Sequence, residues 1–256
     1  MSAMAGVRYP ALRRGNLALA ALHGAQGAVI LALSNSFSLP VTGSFLDGPP
    51  GVTKPGAAEE LFGLPLGPAV AVFLFLAALD HLVVALPGVV GWYERNLDRG
   101  INPVRWVEYS LSASVMVVLI GMLTGISDVV ALIAIFGVNA AMILFGWLME
   151  RTNDRVRPVD WLPFWFGCVA GAVPWLVIVV QIVGSAWDGS GPPAFVYAIF
   201  VTLFVLFNSF AINQWLQYAQ KGRWRSYLFG EWGYLVLSLV AKSLLAWQVF
   251  ANTLID

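Results

Sequence analysis

The chain has 256 residues, 59% hydrophobic and 11% charged, with a mean hydropathy of +0.78 and no net charge. A soluble domain carries about 25% charged residues, so this composition excludes a soluble globular protein, and the lack of a basic tract argues against a nucleic-acid partner. The single cysteine, Cys168, excludes an intrachain disulfide and a cysteine-cluster metal site.

A helical span needs about 20 apolar residues, and seven such runs follow one another. The first, about 15–36, carries His23 and Gln26 and follows Arg13 and Arg14. It is longer than the apolar core of a signal peptide and ends in no small-x-small cleavage site, so it reads as a retained helix. The connection 37–64 contains PVTGSFLDGPPG. Its Gly and Pro residues mark turns, and Val41, Thr42 and Phe45 are candidates for a short hairpin, with a plain connector as the alternative. The second span, 65–90, carries Asp80 and His81, and the third, 104–124, carries Glu108. The fourth span is 127–149 and the sixth 193–219; the fifth, 161–186, carries Pro174 near its middle. The seventh, 230–253, has Lys242 near its middle. None of the seven alternates like a barrel strand. Residues 1–256 therefore form one all-α, seven-helix membrane domain, with no polar stretch long enough to fold separately.

The basic residues orient it. Arg8, Arg13 and Arg14 precede the first span. Arg95, Arg99 and Arg105 surround the second connection. Arg151, Arg155 and Arg157 lie in the fourth, and Lys221, Arg223 and Arg225 in the sixth. These are twelve of the 14 Lys and Arg residues; the alternate connections hold only Lys54. The positive-inside rule places the N-terminus in the cytoplasm and the C-terminus outside.

The remaining basic residue is Lys242, and an ammonium at mid-membrane needs a partner. At roughly 1.5 Å per residue it lies about 18 Å along its helix, and Glu108 about 8 Å along its own. Helical side chains lean towards the N-terminus, which closes much of the difference. Glu108 is thus the natural partner, with Ser112 one turn on and Ser238 one turn before Lys242. Snorkelling fails because Lys242 is about 11 residues from either end of the span. Two readings stay open: a structural ion pair, and a desolvated amine that forms a Schiff base. His23 and His81 lack a third ligand, so no metal site is assigned. The patterns Gly121–Gly125 and Gly167–Gly171 permit close helix approach, inside the bundle or between copies.

The segments RWVEYSLSASVMVVLI, ALIAIFGVNAAMILFGWL, LPFWFGC, FNSFA, SLVAKSLLAW and FSLPVTGSFLDGPPG resemble those of heliorhodopsins over essentially the whole chain. The resemblance implies a light-sensing membrane protein, not an enzyme, with all-trans retinal held covalently on Lys242 as a protonated Schiff base. It implies Glu108 as counterion, with Ser112 and Ser238 beside it. Tyr109, Met116, Asn139, Ile143, Gly146, Phe207 and Gln214 would wall the chromophore. His23 and His81 would line a polar cytoplasmic-side cavity, with Gln26 and Asp80 as candidate members. Asp80 is not a feature the resemblance explains. A homodimer in the plasma membrane, isomerisation to 13-cis with a slow return and no net ion transport are implied as well. The output would pass to a separate downstream protein or through the dimer, since the short termini leave no room for a fused transducer.

The rival reading is a light-driven ion pump or channel. Proton pumps of the ordinary microbial rhodopsins carry carboxylates one turn before the retinal lysine and eleven residues past the counterion; here those positions are Ser238 and Leu119. Beyond Lys242, Leu119, Ile120, Ile133, Ile135, Leu244 and Leu245 predict an outer half without a relay. A retinal-free transporter predicts internal repeats, and none is visible.

Overall fold

The computed structural model describes residues 8–51, 56–153, 158–187, 189 and 191–255. Lys54, Arg155 and Arg157, used above for orientation, lie outside the described residues, as do both chain ends. The elements in order are α1 (Pro10–Leu33), β1 (Ser38–Gly43), β2 (Glu59–Pro65), α2 (Leu66–Ala85), α3 (Pro87–Asp98), α4 (Pro103–Leu123), α5 (Val129–Thr152), α6 (Leu162–Trp187), α7 (Ala194–Tyr218) and α8 (Tyr227–Val249). A 3₁₀ turn, Gly222–Arg225, precedes α8, and a π turn, Phe250–Leu254, ends it. Seven of these helices, all but α3, are long and apolar enough to cross a membrane.

The second span ends earlier than hydropathy predicts. Leu86 is extended and Pro87 opens α3, a short amphipathic helix. Proline suits a first helical turn because its missing N–H would be unpaired there anyway. Arg13 Nε donates to Ala85 O at 2.9 Å and so covers a carbonyl that the break exposes. At the other end of α3, Tyr9 and Arg8 both donate to Asp98. Those bonds hold the Asp98 carboxyl below the usual range, while the same Tyr9–Asp98 bond raises the Tyr9 phenol.

The hairpin exists, but not as a tight turn. β1 pairs antiparallel with β2 across a long loop, with Val41 opposite Phe62 and an irregularity between Val41 and Thr42. Phe45 lies outside both strands; its ring covers Gly43. Thr42 N donates to Ser127 O at 2.8 Å, and Asn35 N to Leu254 O at 3.1 Å. The hairpin end of the bundle is thus tied to the α4–α5 turn and the chain end.

α4 is the interior helix. Two-thirds of its span (67%) is buried, against 17% for α5 and α7, which is why the polar residues of α4 need partners. Asn102 Oδ1 caps it by accepting from Arg105 N at 3.2 Å. The glycine patterns also resolve. Gly125 (φ +101°) ends α4 in a turn, so Gly121–Gly125 is no helix-contact motif. A Cβ at Gly167 would meet Phe145 at 3.3 Å and one at Gly171 would meet Met142 Sδ at 2.5 Å, so that pair seats α6 on α5 within the bundle.

Candidate functional site

Lys242 is 3% exposed, one turn past Ser238 on α8. Its Nζ donates to Glu108 Oε1 at 3.0 Å, Glu108 Oε2 at 3.1 Å and Ser238 Oγ at 3.0 Å. The ammonium also stands 4.9 Å from the centroid of the Tyr109 ring. The helix levels explain why a mid-span lysine meets a glutamate so near the start of α4. Asn102 Nδ2 donates to Glu231 Oε2 at 2.8 Å, so the start of α4 is level with the second turn of α8. From that level Lys242 is about 16 Å along and Glu108 about 9 Å, a gap of about 7 Å that a lysine stem spans.

The amine opens onto a cavity of about 480 Å³, within the range of small-molecule and cofactor sites. Ser112, Ser238, Tyr109, Met116, Ile143, Gly146, Phe207 and Gln214 all line it with Lys242. Gln214 Nε2 donates to Gly146 O at 3.0 Å, which fixes one wall. Asn139 stands off the cavity and donates instead to Ser114 Oγ at 3.0 Å. Sequence reasoning missed Trp106, Met142, Phe164, Trp175, Phe204 and Phe210 on the walls. Trp175 meets Phe200, Phe204 and Phe207 edge-on at 5.8, 5.3 and 5.5 Å between centroids and bridges α6 to α7. The signal for the α6 wall was present, since 164, 167, 168, 171 and 175 share one helical face.

The polar cluster divides. His23 and His81 stack at 5.7 Å with an interplanar angle of 8°. Neither ring nitrogen of His23 has a hydrogen-bond partner among the described residues. Asn16 Nδ2 donates to Leu12 O, which turns its Oδ1 towards His81 Nδ1 at 2.8 Å; that nitrogen therefore carries the ring proton. Asp80 Oδ2 is 3.8 Å from the same nitrogen, beyond hydrogen-bond reach. A second cavity, about 20 Å³, is lined by Asn16, Asp80, His81, Arg105 and Glu231 among others, and neither His23 nor Gln26 reaches it. Gln26 accepts from Trp247 Nε1 at 3.0 Å, one turn beyond Lys242 towards the hairpin end.

A third cluster was not anticipated. Arg105, 4% exposed, bonds Glu150 on α5 and Glu231 on α8, and its guanidinium lies 3.9 Å from the Tyr234 ring centroid. Glu150 also accepts from Trp106 Nε1 at 2.6 Å, Asn102 N at 2.9 Å and Tyr227 Oη at 3.1 Å. Arg105 thus faces inward and joins three helices. Counting it with the loop arginines was an error; at a span end, sequence does not separate a headgroup contact from an interior bond.

A buried lysine paired to a carboxylate, at the wall of an apolar cavity lined by five helices of a seven-span bundle, defines a protein of the rhodopsin type. The fold agrees: a light-driven proton pump from Leptosphaeria maculans superposes with a TM-score of 0.66 at 14% identity, over 94% of this chain and 93% of that one. At that identity the likeness shows the fold alone. Among curated proteins, none matches. The family model Heliorhodopsin matches residues 12–254, and the chain belongs to the heliorhodopsin family. It is accordingly a multi-pass membrane protein of the retinal-binding, light-responsive kind.

Proposed function

We propose that this single-domain heliorhodopsin is a photosensor whose output is conformational. The observation that carries the reading is the Lys242–Glu108 pair, bonded at 3.0 Å, beside the 480 Å³ apolar cavity. A primary amine, an apolar aromatic-walled space and a carboxylate behind the amine are what a covalently held retinal needs. Retinal would be attached to Lys242 and supplies the light-driven all-trans to 13-cis change. Glu108 balances the positive charge at the Lys242 nitrogen and is the nearest acceptor for its proton. Ser238 holds the nitrogen from one side, and Ser112 lies close by. Met116, Ile143, Gly146 and Phe207 exclude water from the cavity, while Tyr109 and Gln214 fix its walls.

Return of the proton without net transport is supported by where the ionisable groups lie. Asp80, His81, Arg105, Glu150 and Glu231 lie between Lys242 and the end of the bundle where α1 begins, and His23 lies near the level of Lys242. On the hairpin side Leu119, Ile120, Ile135 and Leu245 are buried, and no buried ionisable side chain occurs among the described residues. Ile133 and Leu244 point outward and contribute nothing to that barrier. The basic connections favour an N-terminus in the cytoplasm of a plasma-membrane protein. The exposed apolar helix faces suit lipid and a second copy in a homodimer, with a downstream protein reading the change.

The test is reconstitution. Protein given all-trans retinal should absorb visible light and Lys242→Ala should not; colour in that variant refutes the attachment. Illuminated cells carrying the pigment should show no sustained, protonophore-sensitive pH change, and such a change would make it a pump.

A further inference from the structure

We propose that Asp80 is a resident carboxylic acid, neutral in the dark, that relays protons between the Lys242–Glu108 pair and the Arg105–Glu150–Glu231 cluster through one water shared with Arg105. The inference rests on the photosensor reading for its role, but the acid and the water stand on the structure alone.

Charge comes first. The buried charged groups within the spans are Arg105 and Lys242 against Glu108, Glu150 and Glu231. Three carboxylates already face two cations. An ionised Asp80 would be a second uncompensated negative charge, and buried carboxylates are tolerated only when paired and hydrogen-bonded. Among the described residues Asp80 has no lysine or arginine partner and no donor within hydrogen-bond reach. Its side chain is 11% exposed, its Oδ1 has no hydrogen-bond partner among the described residues, and its Oδ2 is 3.8 Å from a histidine nitrogen already committed to Asn16. A carbonyl and a hydroxyl are far less costly to leave in this position than a charge.

Position comes second. Asp80 and Arg105 line the same cavity, and Arg105 Nε is itself without a partner among the described residues. The cavity measures about 20 Å³, room for one water, and a buried water needs two to four polar partners. Arg105 Nε offers a donor and the Asp80 acid an acceptor and a donor. The groups facing this space are Asn16 from α1, His81 from α2, Tyr93 from α3, Arg105 and Tyr109 from α4, and Glu231 and Tyr234 from α8. Tyr109 lines both this space and the Lys242 cavity, with its ring 4.9 Å from Lys242 Nζ, so Asp80 shares a cavity with Arg105 and Glu231 whose far wall borders the Lys242–Glu108 pair. A neutral acid there passes a proton without changing its own charge: one oxygen accepts a proton from one side as the other releases one to the far side.

Asp80 is the only aspartate inside a span; Asp128 and Asp160 stand at helix starts. Infrared spectroscopy with ¹³C-carboxyl aspartate therefore reads it selectively, in protein without retinal as well as in pigment. The expected result is a label-shifted carboxylic-acid carbonyl band at neutral pH that vanishes in Asp80→Asn. In Asp80→Glu the band should move from the aspartate label to a glutamate label. In flash experiments Asp80→Asn should slow return of the Lys242 proton about a hundred-fold, the usual size of one positioned proton-transfer group. Absence of the band in wild-type protein overturns the neutral acid, and an unchanged return rate in coloured Asp80→Asn overturns the relay. If Asp80→Asn forms no pigment, the Asp80→Glu label swap decides. Failure of the photosensor reading is distinct: it leaves wild-type protein colourless whatever the infrared band shows.

Discussion

Replacing Glu108 by Gln removes one negative charge 3.0 Å from Lys242 Nζ and keeps nearly the same shape. Two unit charges at that distance attract by about 5.5 kcal/mol at an effective dielectric of about 20. The amide oxygen of the new side chain still accepts a hydrogen bond from the charged nitrogen, which recovers about 1.5–3 kcal/mol. The net loss is about 2.5–4 kcal/mol, or about two to three powers of ten in the equilibrium between the protonated and deprotonated nitrogen. A spectrophotometric pH titration reads this directly. The midpoint at which the visible band gives way to the near-ultraviolet band should move about two to three pH units towards acid in Glu108→Gln. Glu108→Asp, which keeps the charge, should move it much less. An intact Glu108→Gln pigment whose midpoint shifts by less than about one unit would refute the reasoning, since one unit is about 1.4 kcal/mol. Another carboxylate would then hold the charge.

Two further outcomes follow from packing. A Cβ at Gly146 would lie 2.4 Å from Trp106 Cζ3, and Trp106 is pinned by its 2.6 Å bond to Glu150, so Gly146→Ala should lower thermal stability by about 1–3 kcal/mol and shift the colour; an unchanged melting curve and spectrum would show that the indole yields freely. Arg105→Gln leaves Glu150 and Glu231 buried without their cation and should destabilise by about 3–5 kcal/mol in thermal unfolding. Arg105→Lys should rescue little, because one ammonium cannot fork to two carboxylates and stack on Tyr234 as well, so full rescue by lysine would contradict the proposed geometry.

The seven spans were legible because lipid imposes a length and a polarity that no tertiary contact overrides. The meeting of Lys242 and Glu108 was legible for a related reason, since depth in a bilayer converts directly to residue number. Sequence reasoning failed where that conversion stops. The break between Ala85 and Pro87 falls inside a continuous apolar run, and only the proline marks it. β2 reads EELFGLP, and its pairing with β1 across a long loop leaves no tight-turn signature. Arg105, Glu150 and Glu231 sit within two turns of a helix end, where inward and outward directions share one hydropathy. Asn139 shows the opposite limit. Its polarity is satisfied by Ser114 and not by the cavity, and only the rotation of α5 decides between them.

The Lys242–Glu108 separation also fixes how the site responds to voltage. A proton handed from one to the other moves at most 3.0 Å along the membrane normal, about a tenth of a hydrocarbon core of about 30 Å. A whole charge crossing the membrane gains or loses about 2.3 kcal/mol per 100 mV. The transfer therefore couples to the potential by only about 0.2 kcal/mol per 100 mV, well below thermal energy. That first transfer should run at almost the same rate in an energised cell and a depolarised one.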